Sequence, residues 1–283
     1  MLLGLAAALL ASLLFNIGIV LQAIDARTAP RALGLRWALL RRLVRRRIWV
    51  AGWVLGMLGI WPQVVSYAYA PFVVVQPALA AGLLLVLVLG VRLLHERVGV
   101  AEIAGVTGII AGVALVSWGS PAHVEAQRGM PAVVAVVAAL SLAGLAPYVL
   151  RGTRVDNGIT LAIACGCGFA ATNVATKIVG DEINAGHPWT AAAWGAVVLA
   201  DGVMATLVSM TAFQRIAAMI VVPVSTAVQM FLPIVVEPFF LQEHWGSAPY
   251  DGGPVFAGLV LTCVGSVAVS ASHTVSDLFA RAS

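Results

Sequence analysis

Residues 72–118 read FVVVQPALAAGLLLVLVLGVRLLHERVGVAEIAGVTGIIAGVALVSW, two long apolar runs joined by a short charged link. The first run carries no charge before Arg92, and the second carries only Glu102. A helix needs about 20 apolar residues to cross the hydrocarbon core of a bilayer, so each run is a membrane span. Seven further segments read the same way: 2–22, 49–69, 131–150, 158–178, 189–210, 216–241 and 254–272. The composition agrees, with 61% hydrophobic and only 10% charged residues in 283. A soluble fold of this length cannot hide so much apolar surface behind so few charges. The spacing therefore predicts an all-α polytopic membrane protein of about nine transmembrane helices. The N-terminal run has no positively charged n-region and continues to Leu21, which reads as a retained helix rather than a cleaved signal peptide.

The charges set an orientation. With the N-terminus outside, the cytoplasmic connections hold Arg27, Arg31, Arg36, Arg41, Arg42, Arg45, Arg46, Arg47, Arg92, Arg97, Arg151, Arg154, Arg215 and Arg281. That is 14 of the 16 Lys and Arg residues, and only Arg128 and Lys177 fall elsewhere. The positive-inside rule then places the C-terminus in the cytoplasm of a cell-membrane protein. In the first loop, 25–48, Leu33, Trp37, Leu40, Val44 and Ile48 recur at helical spacing. Arginines fill the positions between. This predicts an interfacial amphipathic helix, with Arg41, Arg42, Arg45, Arg46 and Arg47 on anionic lipid headgroups. Beside a hydrophobic span, such a cluster points to a membrane surface and not to nucleic acid.

Two stretches resemble each other. Gln76-Pro77, Glu96-Arg97, Ala104-Gly105, Gly112 and Leu115-Val116-Ser117 are matched by Val222-Pro223, Glu243-His244, Ala257-Gly258, Gly265 and Ala268-Val269-Ser270. Both copies space their glycines by 7 residues, and an odd number of helices separates them, so they lie in opposite orientations. The organisation this predicts is a first repeat over 1–130, a connecting helix over 131–157, a second inverted repeat over 158–273 and a tail over 274–283. Two inverted four-helix repeats joined by an extra helix are an alternating-access architecture.

With Tyr67-Ala68-Tyr69-Ala70-Pro71, Gln76-Pro77, Leu94-His95-Glu96-Arg97 and the Gly-rich helix after it, the chain resembles the drug/metabolite transporter superfamily (EamA-like). The basic first loop and Gln242-Glu243-His244-Trp245 look most like its NIPA-type branch of proposed magnesium transporters. The resemblance implies a secondary transporter whose leading substrate is a divalent cation, Mg²⁺ first. Two other readings stay open: a proton-coupled exporter of small organic solutes, and a non-transporting membrane partner or lipid-linked-intermediate flippase.

Ionisable groups inside a span are costly and mark pathways. Asp201, between Ala200 and Gly202 in mid-span, and Glu237, beside Pro238, are the candidate cation-binding or proton-accepting carboxylates. Asn16, Gln63, Tyr67, Gln76, Asn173 and Gln229, drawn from both halves, outline a polar substrate site with them. Glu96 and Glu243 are expected to cap helices. Gly105, Gly108 and Gly112 are expected to form a close-packing face, the last two as a small-xxx-small pair. Trp49, Trp53, Trp61, Trp118, Trp189 and Trp245 suggest an aromatic belt. Cys165, Cys167 and Cys263 read as buried packing residues. The five histidines read as loop or helix-end residues. No phosphate loop, zinc signature or nucleophile–base pair is present, so no catalytic residue or cofactor is expected. A homodimer is left open.

Overall fold

The computed structural model describes residues 2–69, 75, 78–95, 98–119, 130–153, 156–240 and 249–282. Within them the chain forms ten α-helices: α1 (Leu2–Thr28), α2 (Trp37–Leu43), α3 (Arg47–Tyr69), α4 (Gly82–Leu94), α5 (Val100–Gly119), α6 (Met130–Val149), α7 (Gly158–Asn184), α8 (Pro188–Phe213), α9 (Ala218–Phe240) and α10 (Gly253–Ala282). Among the described residues no strand occurs. Six helices, α1, α3, α5, α6, α7 and α8, are long and apolar enough to cross a membrane, and Ala78–Leu94, Ala218–Gln229 and Gly253–Val269 are shorter apolar segments. A backbone in hydrocarbon must satisfy its own N–H and C=O groups, which is why apolar runs of this length become helices. Large apolar side chains such as Trp61, Leu142, Leu199 and Phe256 stand exposed on the outside of the bundle. The molecule is a multi-pass, membrane-embedded helical protein.

The tightest crossings are built on glycine. Helix α1 packs along α3, and a Cβ on Gly18 would stand 2.5 Å from the Gly52 carbonyl oxygen. Helix α5 packs along α10 through four glycines. A Cβ on Gly105 would meet the Gly265 oxygen at 2.7 Å, one on Gly265 the Gly105 oxygen at 2.5 Å, and Gly112 and Gly258 exclude each other's side chains at 2.6 Å. Gly108 is looser, 3.6 Å from Gly265, so the seam is Gly105 and Gly112 at a spacing of seven and not the Gly108–Gly112 pair. A seven-residue spacing is two full turns, which keeps both glycines on one stripe. Helix α7 packs on α8 and α9, and α6 on α7.

The largest core cluster lies at one end of the bundle, where Val20, Leu39, Leu43, Trp49, Leu161, Met210, Phe213 and Ile220 meet. Here the expected amphipathic helix over 33–48 is corrected. Only Trp37–Leu43 is helical at its centre, a turn follows, and α3 starts at Arg47. The inward face is Leu35, Leu39 and Leu43, all buried, while Trp37, Val44 and Ile48 stay exposed. Trp49 is buried too and leaves the aromatic belt; its indole N–H donates to Met210 Sδ at 3.2 Å. Trp118 and Trp189 are exposed at helix ends, and Trp118 meets Tyr250 with ring centroids 5.8 Å apart and tilted by 52°. Cys165 and Cys167 are buried, but Cys263 is exposed, because the seam claims its neighbour Thr262 and a helix turns the next residue outward. Helix α10 runs on through His273 to Ala282, so the expected tail is helical and His273 is not in a loop.

Candidate functional site

Asp201 sits near the middle of α8, and Ser141 near the middle of α6. The Ser141 hydroxyl lies 2.8 Å from Asp201 Oδ2 and also 2.8 Å from the Val137 carbonyl oxygen of its own helix. A serine has one proton to donate, so these contacts alternate. Against a carboxylate, Ser141 donates to Asp201. Against a protonated acid, Asp201 can donate to Ser141, which then donates to Val137. The pair is hydrogen-bonded in both protonation states, which is what a group that takes up and releases a proton or cation requires. Both residues are half-buried, between exposed Leu142 on one helix and exposed Leu199 on the other. There is slack beside them. A Cβ on Gly202 would touch only Thr172 Cγ2, at 4.0 Å.

The described members of the expected polar set lie on four other helices. Asn16 is buried on α1, donates to the Ser12 carbonyl oxygen at 2.7 Å and packs against Gly82 of α4. Ser12 in turn donates to the Leu79 carbonyl oxygen at 2.7 Å, tying α1 to the approach of α4. Gln63 and Gln229 are half-buried on α3 and α9, and Asn173 is exposed on α7. Gln76 and the side chains of Tyr67, Lys177 and Glu237 lie outside the described residues, as do Pro77, Glu96, Glu243 and Trp245. Among the described residues no hydrogen bond joins two members of the set, and no group of three His, Cys, Asp or Glu side chains is placed to hold a metal. No protein-family model matches the chain, and neither a curated protein nor a solved structure is detectably similar to it.

Three carboxylates with structural work stand apart from this pair. Asp25, on α1, is buried; it accepts the Trp49 N–H at 2.8 Å and Arg46 Nε at 3.1 Å. It therefore caps the start of α3 from another helix and neutralises one arginine of the basic loop. The sequence signal was a lone acid among eight arginines, which charge counting alone passes over. Glu102 accepts the Gly99 N–H at 2.8 Å, the reach-back of a capping box at the start of α5. Asp156, in the α6–α7 loop, accepts the Gly152 N–H at 3.0 Å and pairs with Arg215 beyond the end of α8. The Gly152 hydrogen bond, followed by the Arg215 guanidinium, holds its carboxyl below the usual carboxylate value.

The same end of α8 is strapped by the segment 29–36. Thr211 Oγ1 accepts the Leu35 N–H at 3.0 Å, and Gln214 Nε2 donates to the carbonyl oxygens of Ala29 and Pro30 at 3.3 and 3.4 Å. Leu35 has φ 56°, the left-handed region, which costs a non-glycine residue on the order of 1–3 kcal/mol. Its buried side chain and its bond to Thr211 hold it there. Gln214 Oε1 is buried with no partner among the described atoms, a second sign that this contact is under tension.

Proposed function

We propose that the chain is a secondary transporter of the drug/metabolite transporter type, working by alternating access with cation exchange at Asp201. The observation that carries the reading is the α5–α10 seam. The two glycine pairs of the sequence repeat meet each other there: Gly105 faces Gly265, and Gly112 faces Gly258. A two-fold axis demands this cross-pairing, because when residue i of one copy touches j of the other, j must touch i. The remaining neighbours follow the same exchange. Helix α1 packs on α3 as α7 does on α8, α1 on α4 as α7 does on α9, and α4 on α5 as α9 does on α10, with α6 the extra helix. Inverted halves of this kind rock about a shared interface.

Magnesium is the first substrate class, resting on the NIPA-type resemblance and on the intramembrane carboxylates Asp201 and Glu237. The Ser141–Asp201 geometry favours a second reading, proton-coupled export of a small organic solute. One carboxylate sharing one hydroxyl suits a proton, whereas Mg²⁺ takes six oxygens in near-octahedral array. In this reading the N-terminus faces outward, the C-terminus faces the cytoplasm, and the strap closes the cytoplasmic end of a cell-membrane protein. Proteoliposomes loaded with a Mg²⁺ dye and a pH dye separate the readings. A magnesium signal alone selects the first, and a solute-dependent proton signal selects the second. Silence of both dyes across a panel of solutes returns the chain to a non-transporting role.

A further inference from the structure

The segment 35–48, α2 with its two flanks, carries two sets of apolar side chains, and the protein covers only one. Leu35, Leu39 and Leu43 are buried, whereas Trp37, Val44 and Ile48 remain 58%, 57% and 46% exposed. Arg36, Arg41, Arg42 and Arg45 are exposed around that open face. Among the described residues no carboxylate pairs with these four; Arg46 instead is held by Asp25 and reaches Thr28. Guanidinium groups bind phosphate through paired N–H bonds, and apolar side chains between them enter the acyl boundary. That combination fits an anionic leaflet and not a soluble anion, for which the exposed Trp37, Val44 and Ile48 would have no use.

Burial continues from α2 into the strap: Leu35, the residue whose N–H Thr211 accepts, belongs to the same buried cluster as Leu39 and Leu43. We propose that anionic phospholipid headgroups occupy the arginine face of α2 and thereby hold the 29–36 strap down on the end of α8. The strap's own grip is finely balanced. It consists of neutral hydrogen bonds from Leu35 and Gln214, opposed by the left-handed Leu35 backbone and the unpartnered Gln214 oxygen. A ligand that binds the strapped arrangement better than the released one shifts such an equilibrium by its differential affinity. The proposal does not depend on what the protein transports.

The test reads the strap directly. Gly34 has φ −52° and ψ 139°, which any side chain accepts, and a Cβ there would lie 3.0 Å from Thr211 Cγ2. Gly34→Cys with Thr211→Cys, in a Cys263→Ala background, therefore places two thiols within disulfide reach, and Gln214 still holds the rest of the strap. In nanodiscs of the full chain, mild oxidation is expected to close this disulfide several-fold faster with phosphatidylglycerol present than in phosphatidylcholine alone. The lipid dependence is expected to vanish when Arg36, Arg41, Arg42 and Arg45 are all changed to Gln. It should also vanish on the arginine-bearing chain in about 1 M salt, where the screening length falls to about 3 Å. The salt arm decides the question even where the Gln variant fails to fold. Equal closure in the two lipids, or a lipid effect that survives the salt, overturns the proposal. Inorganic phosphate added to phosphatidylcholine nanodiscs is expected to do nothing. Acceleration by phosphate would mark a general anion site and overturn the lipid assignment.

Discussion

The middle of α8 and its end are built on opposite terms. At the middle, Asp201 shares a single hydroxyl with α6, stays half-buried, and has Gly202 beside it with room to spare. At the end, Met210, Thr211 and Gln214 are buried and bonded to a different part of the chain, and Arg215 to another. Atoms can be exchanged at the middle without repacking, whereas the end holds two loops in place. The difference teaches where to look for each property in one helix. Chemistry belongs where the packing is slack and a charge has been left partly accessible, and stability belongs where most polar groups are tied to other parts of the chain.

The largest effect should come from the middle and should leave the fold alone. Asp201→Asn keeps the size of the side chain and its bond to Ser141 but removes the charge. Flux in proteoliposomes is expected to fall by tenfold or more, about the size of a 1.4 kcal/mol barrier change or larger, with an unchanged melting temperature. Ser141→Ala should slow flux less and shift its pH profile, because the carboxylate loses the hydroxyl that serves both its states. Asp201→Asn protein with normal flux would move Asp201 among the packing residues and leave Glu237 as the carboxylate to test.

Next in size is a contrast between two glycines. Gly112→Ala puts a methyl group 2.6 Å from the Gly258 oxygen and 2.8 Å from the Thr262 nitrogen, so α5 and α10 must separate. A cost of about 1–3 kcal/mol and a lower melting temperature in detergent are expected. Gly202→Ala, with its nearest neighbour at 4.0 Å, should leave the melting temperature unchanged. Equal losses at the two sites would mean that the middle of α8 is as tightly packed as the seam, and the contrast would fail. Asp25→Asn is expected to cost a similar amount, about 1–3 kcal/mol, since it takes the counter-charge from Arg46 and weakens the cap on α3.

How much of this was legible in the sequence follows from the solvent. Six expected spans coincide with helices long enough to cross a membrane, and the other three with shorter apolar segments among the described residues, because apolar runs have one satisfactory answer in lipid. The matched glycines, read in the sequence only as a repeat, form the α5–α10 seam, whereas the expected Gly108–Gly112 pair does not. Which face turns inward was not legible. In a soluble protein the polar face looks out, but here lipid and protein interior are both apolar, so two stripes compete. On α2 the stripe through Trp37, Leu40 and Val44 is as periodic as Leu35, Leu39 and Leu43, and the latter is the buried one. Ser141 was missed because a serine on an apolar helix gives no sign of its partner 60 residues away. Asp25 was missed because its bonds are made to a different helix.

The smallest effect tests the end of α8 by pH. Asp156 is held below its ordinary carboxylate value of 3.8 by the Gly152 N–H and then by Arg215. A carboxyl whose folded value is depressed contributes stability that is fully present above its unfolded value and is lost as the pH falls through the folded one. Asp156→Asn should therefore lower the melting temperature at neutral pH by a small amount, about 1 kcal/mol or less for a pair partly open to solvent. The gap to the unsubstituted protein should stay constant from pH 7 to about pH 5 and close only below the ordinary carboxylate range. Thr211→Val gives the control, because it removes the acceptor for the Leu35 N–H without touching a titratable group, and its deficit should not vary with pH. A gap for Asp156→Asn that already closed near pH 6 would show that a group other than the Asp156 carboxyl sets it. A gap that persisted below pH 3 would mean that the amide fails by shape and not by charge. The end of α8 would then be held by its neutral hydrogen bonds from Leu35 and Gln214 and by packing, without help from the ion pair.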